Sequence, residues 1–313
     1  MHIVLSVPRE KGARWRELFA AALPAASIRL RDPGEVTTPD AMPADYVAIY
    51  GPCQTLFAEQ RAMKSIFALS AGVGHLLALP NLPRNVPLVR LEDAGMAELM
   101  VRYVLAAALR LVQRLDVYAR QQRDARWEQH EVRSPSSVRA GVMGLGVIGC
   151  QIARALAAQG FAVRGYARSA KTVEGIAVFA GDSRLDAFLD DLDLLVCVLP
   201  ETPATDGILN RRSLSRLADG AHVVNIGRGA ALVEDDLVAL LESGKLGGAT
   251  LDVFRQEPLP SGHPFWRRPE ILLTPHISGL TVLEAAVSQV AGKIARLERG
   301  ESVSGVVAFE RGY

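Results

Sequence analysis

The sequence predicts an α/β fold of two domains, and three observations carry that prediction. Short apolar runs rich in β-branched residues alternate with helical patterns along the chain, the order of strand and helix that builds a mostly parallel sheet. The run Gly144-Leu145-Gly146-Val147-Ile148-Gly149 stands between one strand-like segment, 140–143, and a helix-like one, 151–158, the context of a nucleotide-binding turn. At 313 residues the chain is near the upper limit of one hydrophobic core, which favours a division in two and makes the boundary a candidate site.

Taken in order, strand-like runs lie at 3–7, 46–50, 65–69 and 87–90, each separated by loop or helical pattern. The alanine- and leucine-rich stretch 96–122 places Met96, Leu99, Met100, Tyr103, Val104 and Ala107 at helical spacing, as a connecting helix does. A second series follows at 140–143, 162–166, 194–199, 222–226, 249–253 and 271–274, and six runs suit a complete Rossmann sheet. The final helix, 281–299, opens on Thr281-x-x-Glu284, the pattern of a capping box. The glycine run therefore opens the second domain, and the first ~95 residues form a separate α/β unit by size.

Composition narrows the class. With 49% hydrophobic and 22% charged residues the chain is globular, and a net charge of +1 gives no reason to invoke nucleic acid or a membrane surface. Cys53, Cys150 and Cys197 are far apart and lack metal-ligand spacing, so no metal is expected and the thiols read as small buried hydrophobes in a reducing compartment. The N-terminus begins on a strand pattern, not a basic leader, and no apolar run reaches the ~20 residues that span a bilayer; a cytoplasmic protein is expected.

The glycines have separate tasks. The first permits a tight strand-to-helix turn, the second lets backbone approach a pyrophosphate, and the third lets helix pack on strand, with phosphate on the helix N-terminus. An NAD site of this kind places a carboxylate about 20 residues on, for the ribose 2′-hydroxyl. Here the second strand ends Arg164-Gly165-Tyr166-Ala167-Arg168-Ser169, with no carboxylate until Glu174. The Arg168 guanidinium, with Ser169 and Lys171, suits a 2′-phosphate, which favours NADP(H) over NAD(H); the alternative is a solvated arginine.

Three polar residues close later strand-like runs: Arg228 in Asn225-Ile226-Gly227-Arg228-Gly229, Glu257 in Asp252-Val253-Phe254-Arg255-Gln256-Glu257-Pro258-Leu259, and His276 in Thr274-Pro275-His276-Ile277-Ser278-Gly279. Ligands of open α/β sheets bind at the carboxyl ends of strands, so the three can converge. Hydride reduction of a carbonyl leaves charge on oxygen and needs a proton donor. His276 suits that task near neutral pH, Glu257 stabilises its imidazolium, and the planar fork of Arg228 can grip a 2-oxo carboxylate. Singly, each is equally well an ordinary loop residue; jointly, downstream of a nucleotide fingerprint, they form a catalytic set.

In order, the glycine run, Leu199-Pro200-Glu201-Thr202-Pro203-Ala204-Thr205, 225–229, 252–259 and 274–279 resemble the D-isomer-specific 2-hydroxyacid dehydrogenases. The stretch Leu91-Glu92-Asp93-Ala94-Gly95-Met96, the phrase Glu257-Pro258-Leu259-Pro260 and the ending Arg311-Gly312-Tyr313 resemble its glyoxylate/hydroxypyruvate reductase A branch, over nearly the full length. The resemblance implies a flavodoxin-like substrate domain over 1–94, with 281–313 returning to it, and an NADP-binding Rossmann domain over 95–280. It implies NADPH-dependent reduction of glyoxylate and hydroxypyruvate, with Arg228 binding substrate, His276 donating the proton and Glu257 as its partner. Implied cofactor contacts are Gly144 to Gly149, Arg168, Ser169, Leu199, Pro200, Thr205, Ile226, Gly227, Arg228, Asp252, His276, Ser278 and Gly279. Implied substrate contacts are Tyr50, Met96, Arg228, His276 and the loop Ala71-Gly72-Val73-Gly74, whose N–H groups meet the carboxylate. The long helix near Met96 forms a homodimer interface in the family. Two positions depart from the pattern: His75 follows Gly74 where many relatives carry an acid, and Tyr50 stands where a tryptophan is expected.

A D-lactate-type or phosphoglycerate-type dehydrogenase shares the catalytic set, but the length leaves no room for an extra regulatory domain and the Arg168 region disfavours NAD. A non-catalytic NAD(P)-sensing protein would use the fingerprint alone and has no need of a proton donor.

Overall fold

Eight strands are buried along most of their length, which is what parallel sheets covered on both faces require. The computed structural model describes residues 1–35, 42–51, 55–60 and 62–310; Cys53 and the ending Arg311-Gly312-Tyr313 lie outside the described residues. The chain forms two compact units, one of 1–95 with 281–313 and one of 96–280.

The first unit holds β1 (His2–Ser6), β2 (Ser27–Arg31), β3 (Tyr46–Ile49), β4 (Ser65–Ala68) and β5 (Leu88–Val89) in one parallel sheet of order β2-β1-β3-β4-β5. That is the flavodoxin-like order. The sequence pattern misses β2 because Ser27-Ile28-Arg29-Leu30-Arg31 mixes charge with apolar residues, and as an edge strand it stays largely half-buried. The helix Arg9–Ala22 buries Trp15 and Phe19. The last helix, Leu283–Glu298, buries Ala286, Val287, Val290 and Ile294. Its capping box does not form: the N-cap is Val282, the Thr281 hydroxyl donates to the Leu69 carbonyl at 3.3 Å, and Glu284 pairs with Arg14 at 2.9 Å. Tertiary partners outbid the local cap.

The second unit holds β6 (Arg139–Met143), β7 (Ala162–Ala167), β8 (Ala177–Ala180), β9 (Leu194–Cys197), β10 (Ala221–Asn225), β11 (Leu246–Leu251) and β12 (Ile271–Leu273). All pair in parallel, in the order β12-β11-β10-β9-β6-β7-β8. The seventh strand is β8, a half-exposed edge of four residues that the sequence reading does not include. Alternating residues feed the two faces: Leu194, Val196, Val142 and Val224 join Val104 and Ile152 on one side, while Leu195, Cys197, Met143 and Val223 join Phe188 and Leu237 on the other. The expected single helix over 96–122 is two, Met96–Val112 and Leu115–Arg123, because Arg114 takes a left-handed conformation at φ 53° and Arg110 pairs with Asp116 across the break. Among the described residues no helix is long and apolar enough to cross a membrane, and no cluster of His, Cys, Asp and Glu has the make-up of a metal site.

Candidate active site

Strand order reverses beside β6, which has β9 on one side and β7 on the other, so the turn after β6 and the loop after β9 flank the switch point of the sheet. Of the three glycines after β6, the fold requires two and leaves the third open. Gly144 has φ 107° and a Cβ on it would stand 3.0 Å from the Val198 carbonyl oxygen. A Cβ on Gly149 would lie 1.9 Å from the Gly144 carbonyl oxygen, so only glycine lets the helix Val147–Ala158 start against the turn. A Cβ on Gly146 would meet no protein atom within 4 Å. That open position lies at a helix N-cap, and the amides of Gly146, Val147, Ile148 and Gly149 donate to no described backbone carbonyl. Open space over a run of N–H groups at the positive end of a helix fits a dinucleotide pyrophosphate. The carbonyl of buried Leu145, within the turn, accepts from Lys171 Nζ at 2.6 Å, and the same ammonium lies 3.5 Å from the half-buried Cys150 Sγ. Arg168 and Ser169 follow β7 and are exposed.

The loop after β9 is closed on itself. Thr205 Oγ1 donates to the Pro200 carbonyl at 2.7 Å and accepts the Thr202 N–H at 2.9 Å, and Leu199 leads into it half-buried. A Cβ on Gly227 would stand 2.7 Å from the Leu199 carbonyl oxygen, and one on Gly229 would stand 1.9 Å from the Phe254 carbonyl carbon. The glycines on either side of Arg228 thus let its loop lie between the chain ends leaving β9 and β11. Asn225, fully buried, holds the loop from within by accepting the Gly227 N–H at 3.2 Å and donating to the Arg228 carbonyl at 3.0 Å. Ile226 is buried beside it. From outside, Arg255 donates to the carbonyls of Leu232 at 3.0 Å and Ala230 at 2.8 Å. The half-buried Arg228 guanidinium donates to the Gly227 carbonyl at 2.6 Å. Burial pulls its pKa down from the ordinary arginine value, and the carboxylates of Glu201 and Glu257 oppose that, so the cation persists.

Glu257 and His276 meet through Oε2 and Nδ1 at 2.7 Å, and Glu257 Oε1 accepts the Phe254 N–H at 3.0 Å. With Nδ1 committed to the carboxylate, the Nε2 edge of the half-exposed ring is the one left to hand on a proton. His276 has φ 54°, a left-handed conformation that its surroundings must hold in place. Asp252 does much of this. Fully buried, it accepts the Thr274 hydroxyl at 2.6 Å and the Ile277 N–H at 2.8 Å on Oδ1 and the Ser278 N–H at 2.8 Å on Oδ2, and its carbonyl accepts the His276 N–H at 2.9 Å. Ser278 is buried, and Gly279 faces Met100, whose Sδ would lie 2.9 Å from a Cβ there. The structure thus brings Arg228, Glu257 and His276 to one end of the seven-stranded sheet.

In the first unit Tyr50 lies 6.4 Å from Trp15 between ring centroids, with the Lys11 ammonium 5.3 Å from its own. The amides of Ala71, Gly72, Val73 and Gly74 donate to no described backbone carbonyl, and Val73 is buried at the start of the short helix Gly74–Leu77. Met96, in the second unit, is buried at the start of the long helix. Sequence patterns missed the side chains that hold the site: Thr274 is signalled only by standing before Pro275-His276, Arg255 lies inside a motif noted for Glu257, and Tyr103 is indistinguishable from its helix's apolar face.

A family model described as "D-isomer specific 2-hydroxyacid dehydrogenase, NAD binding domain" matches residues 105–278. Glyoxylate/hydroxypyruvate reductase A of Serratia proteamaculans (strain 568) is 42% identical, with all of both chains covered. A D-isomer specific 2-hydroxyacid dehydrogenase of Xanthobacter autotrophicus Py2, solved in complex with NADPH and MES, superposes with a TM-score of 0.94 at 36% identity over 100% of this chain and 99% of that one. The NADPH-dependent glyoxylate/hydroxypyruvate reductase of Sinorhizobium meliloti, solved with NADP and sulfate, superposes with a TM-score of 0.92 at 33% identity over 100% and 99%.

Proposed function

The chain belongs to the D-isomer specific 2-hydroxyacid dehydrogenase family, and from that premise we propose that it is an NADPH-dependent reductase of small 2-oxo acids, taking glyoxylate to glycolate and hydroxypyruvate to D-glycerate. The observation that carries this proposal is the 2.7 Å contact between His276 and Glu257 beside the Arg228 cation, at the sheet end that also presents the glycine turn.

Each residue has a task that follows from its surroundings. The amides of Gly146 to Gly149 would hold the pyrophosphate of NADPH, and Arg168 with Ser169 its 2′-phosphate, where a guanidinium forms charge-assisted hydrogen bonds and a carboxylate would repel. Leu199, Pro200, Thr205, Ile226, Gly227, Asp252, Ser278 and Gly279 border the rest of the cofactor site. When bound, NADPH supplies the hydride that reduces the keto carbon. Arg228 binds the substrate carboxylate through its planar fork, with a charge that does not titrate near neutrality. His276 gives its Nε2 proton to the oxygen that becomes the hydroxyl, while Glu257 fixes the ring and offsets the imidazolium charge. In the first unit, the amides of Ala71 to Gly74, which donate to no described backbone carbonyl, are offered to a substrate carboxylate, and Tyr50 is offered to the substrate's remainder. Residues 95–280 act as the NADP-binding domain, and 1–94 with 281–313 as the substrate domain. We assign a cytoplasmic location and a homodimer built on the long helix, whose Leu109 is exposed.

The test is loss of reduced-nicotinamide absorbance when protein and NADPH are mixed with glyoxylate, hydroxypyruvate and a panel of larger 2-oxo acids. Turnover with the small acids is expected. Tight NADPH binding with no turnover on any acid would replace the reductase by a nucleotide sensor.

A further inference from the structure

We propose that Tyr103 is a positioning residue for the proton donor: its phenol, acting through Thr274 and Asp252, fixes the loop that presents His276. The proposal rests on the role assigned to His276 above.

The direction of the chain follows from proton counting. Thr274 Oγ1 donates to Asp252 Oδ1 at 2.6 Å, which uses the one hydroxyl proton of Thr274. Tyr103 Oη lies 2.6 Å from the same Oγ1 and must therefore be the donor. Tyr103 thus donates to Thr274 and Thr274 to Asp252, while Asp252 accepts the amides of Ile277 and Ser278 on its side chain and that of His276 on its carbonyl. Removing the phenol oxygen leaves Thr274 free to turn, and with it one of the three donors that hold a fully buried carboxylate. Burial, with the charge of Asp252, holds the Tyr103 pKa above its ordinary value although the Thr274 bond lowers it, which keeps the donor protonated.

A second contact from the same helix face supports the assignment. Met100, three residues before Tyr103, packs on Gly279, where a Cβ would stand 2.9 Å from its Sδ. The helix Met96–Val112 therefore grips the 274–279 segment at both ends, by a hydrogen bond at Thr274 and by packing at Gly279. Between those grips His276 sits at φ 54°, a conformation that reverts unless held.

The experiment compares Tyr103→Phe, Thr274→Val, Thr274→Ser and the Tyr103→Phe/Thr274→Val pair with the unaltered protein. It measures kcat on glyoxylate and hydroxypyruvate, NADPH affinity by fluorescence, and melting temperature. Tyr103→Phe is expected to lower kcat about tenfold with NADPH Kd within about twofold, since a misplaced acid costs turnover and not cofactor binding. Thr274→Val should match it, the pair should fall no further than either single variant, and Thr274→Ser should recover most of what Thr274→Val loses. The proposal fails if Tyr103→Phe keeps kcat within about twofold, if the two losses multiply, or if kcat, NADPH affinity and melting temperature fall together as a general loosening would make them. Should Tyr103→Phe not fold, the Val and Ser variants at 274 decide alone. Absence of turnover in the unaltered protein overturns the reductase assignment and this proposal with it; turnover indifferent to Tyr103→Phe overturns this proposal only.

Discussion

The glycine turn after β6 and the Arg228–Glu257–His276 cluster stand at the same end of one parallel sheet and are made of opposite materials. The turn works by what its residues lack: a missing Cβ at Gly149 lets backbone come within 1.9 Å of where it would be, and one at Gly146 adds to open space. The cluster works by what its side chains carry, a cation, a carboxylate and an imidazole, the last two bonded to each other at 2.7 Å. A turn of the first kind tolerates changes of charge nearby but no added volume. A cluster of the second kind tolerates small changes of volume but no change of proton or charge.

Substitutions can break that contrast or sharpen it. The largest effect is expected at His276→Gln, which keeps rough size and removes the titratable proton: kcat should fall by about 10² to 10⁴ while NADPH Kd stays near that of the unaltered protein. A kcat close to the original would place the acid elsewhere. Next come two alanines in the turn that should behave differently. Gly149→Ala forces a methyl onto the Gly144 carbonyl and should cost about 1–3 kcal/mol of stability, read as a lower melting temperature, together with cofactor affinity. Gly146→Ala meets no protein atom, so the melt should not move while NADPH Kd rises about tenfold. Equal melting losses at both positions would dissolve the distinction between packing glycine and ligand glycine.

Arg168→Ala is expected to be milder. The KM for NADPH should rise several-fold, with that for NADH nearly constant, because only the former carries the phosphate that a guanidinium binds. An unchanged ratio of the two would remove Arg168 from the site.

The effect smallest at neutral pH lies in β10, in a residue belonging to neither region. Burial pushes the His222 imidazole pKa down from 6.5 to about 4, with Asp116 opposing and Arg110 reinforcing. The folded state therefore refuses a proton that the unfolded chain accepts, so stability is complete above about pH 6.5 and declines as pH falls towards 4. In His222→Gln the drop in melting temperature between pH 7 and pH 5 should shrink; an identical drop would point to another group.

What could be read from the sequence includes parts of both regions. The glycine run, the alternation of strands and the Asn225–Gly229, Asp252–Leu259 and Thr274–Gly279 motifs are local, since each works through its own backbone path, and they announce themselves by spacing. The strand β2 was not legible because, at its edge, Ser27–Arg31 buries too little to impose an apolar pattern, and the apolar β8 falls outside the sequence reading. The loss of the cap at Thr281 was not legible because the Leu69 carbonyl is distant in the chain, and the break at Arg114 was not legible because neither a left-handed arginine nor the Arg110–Asp116 pair across it leaves a mark on the apolar spacing. Asp252 was legible only as a cofactor contact implied by resemblance; its full engagement with 274–278 is a fact of three dimensions.

Alone, the amino-acid order determined the α/β class, the nucleotide fingerprint and the residue types available for chemistry, because periodicity and turn chemistry act over a few residues. Tertiary structure decided which groups share a proton and which are held still. It set Glu257 on His276, the two glycines of the Arg228 loop against Leu199 and Phe254, and Tyr103 on Thr274 across 171 residues. Hydrogen bonds and close backbone approaches depend on distances of a few tenths of an ångström, and only the packed sheet and its helices settle distances that fine.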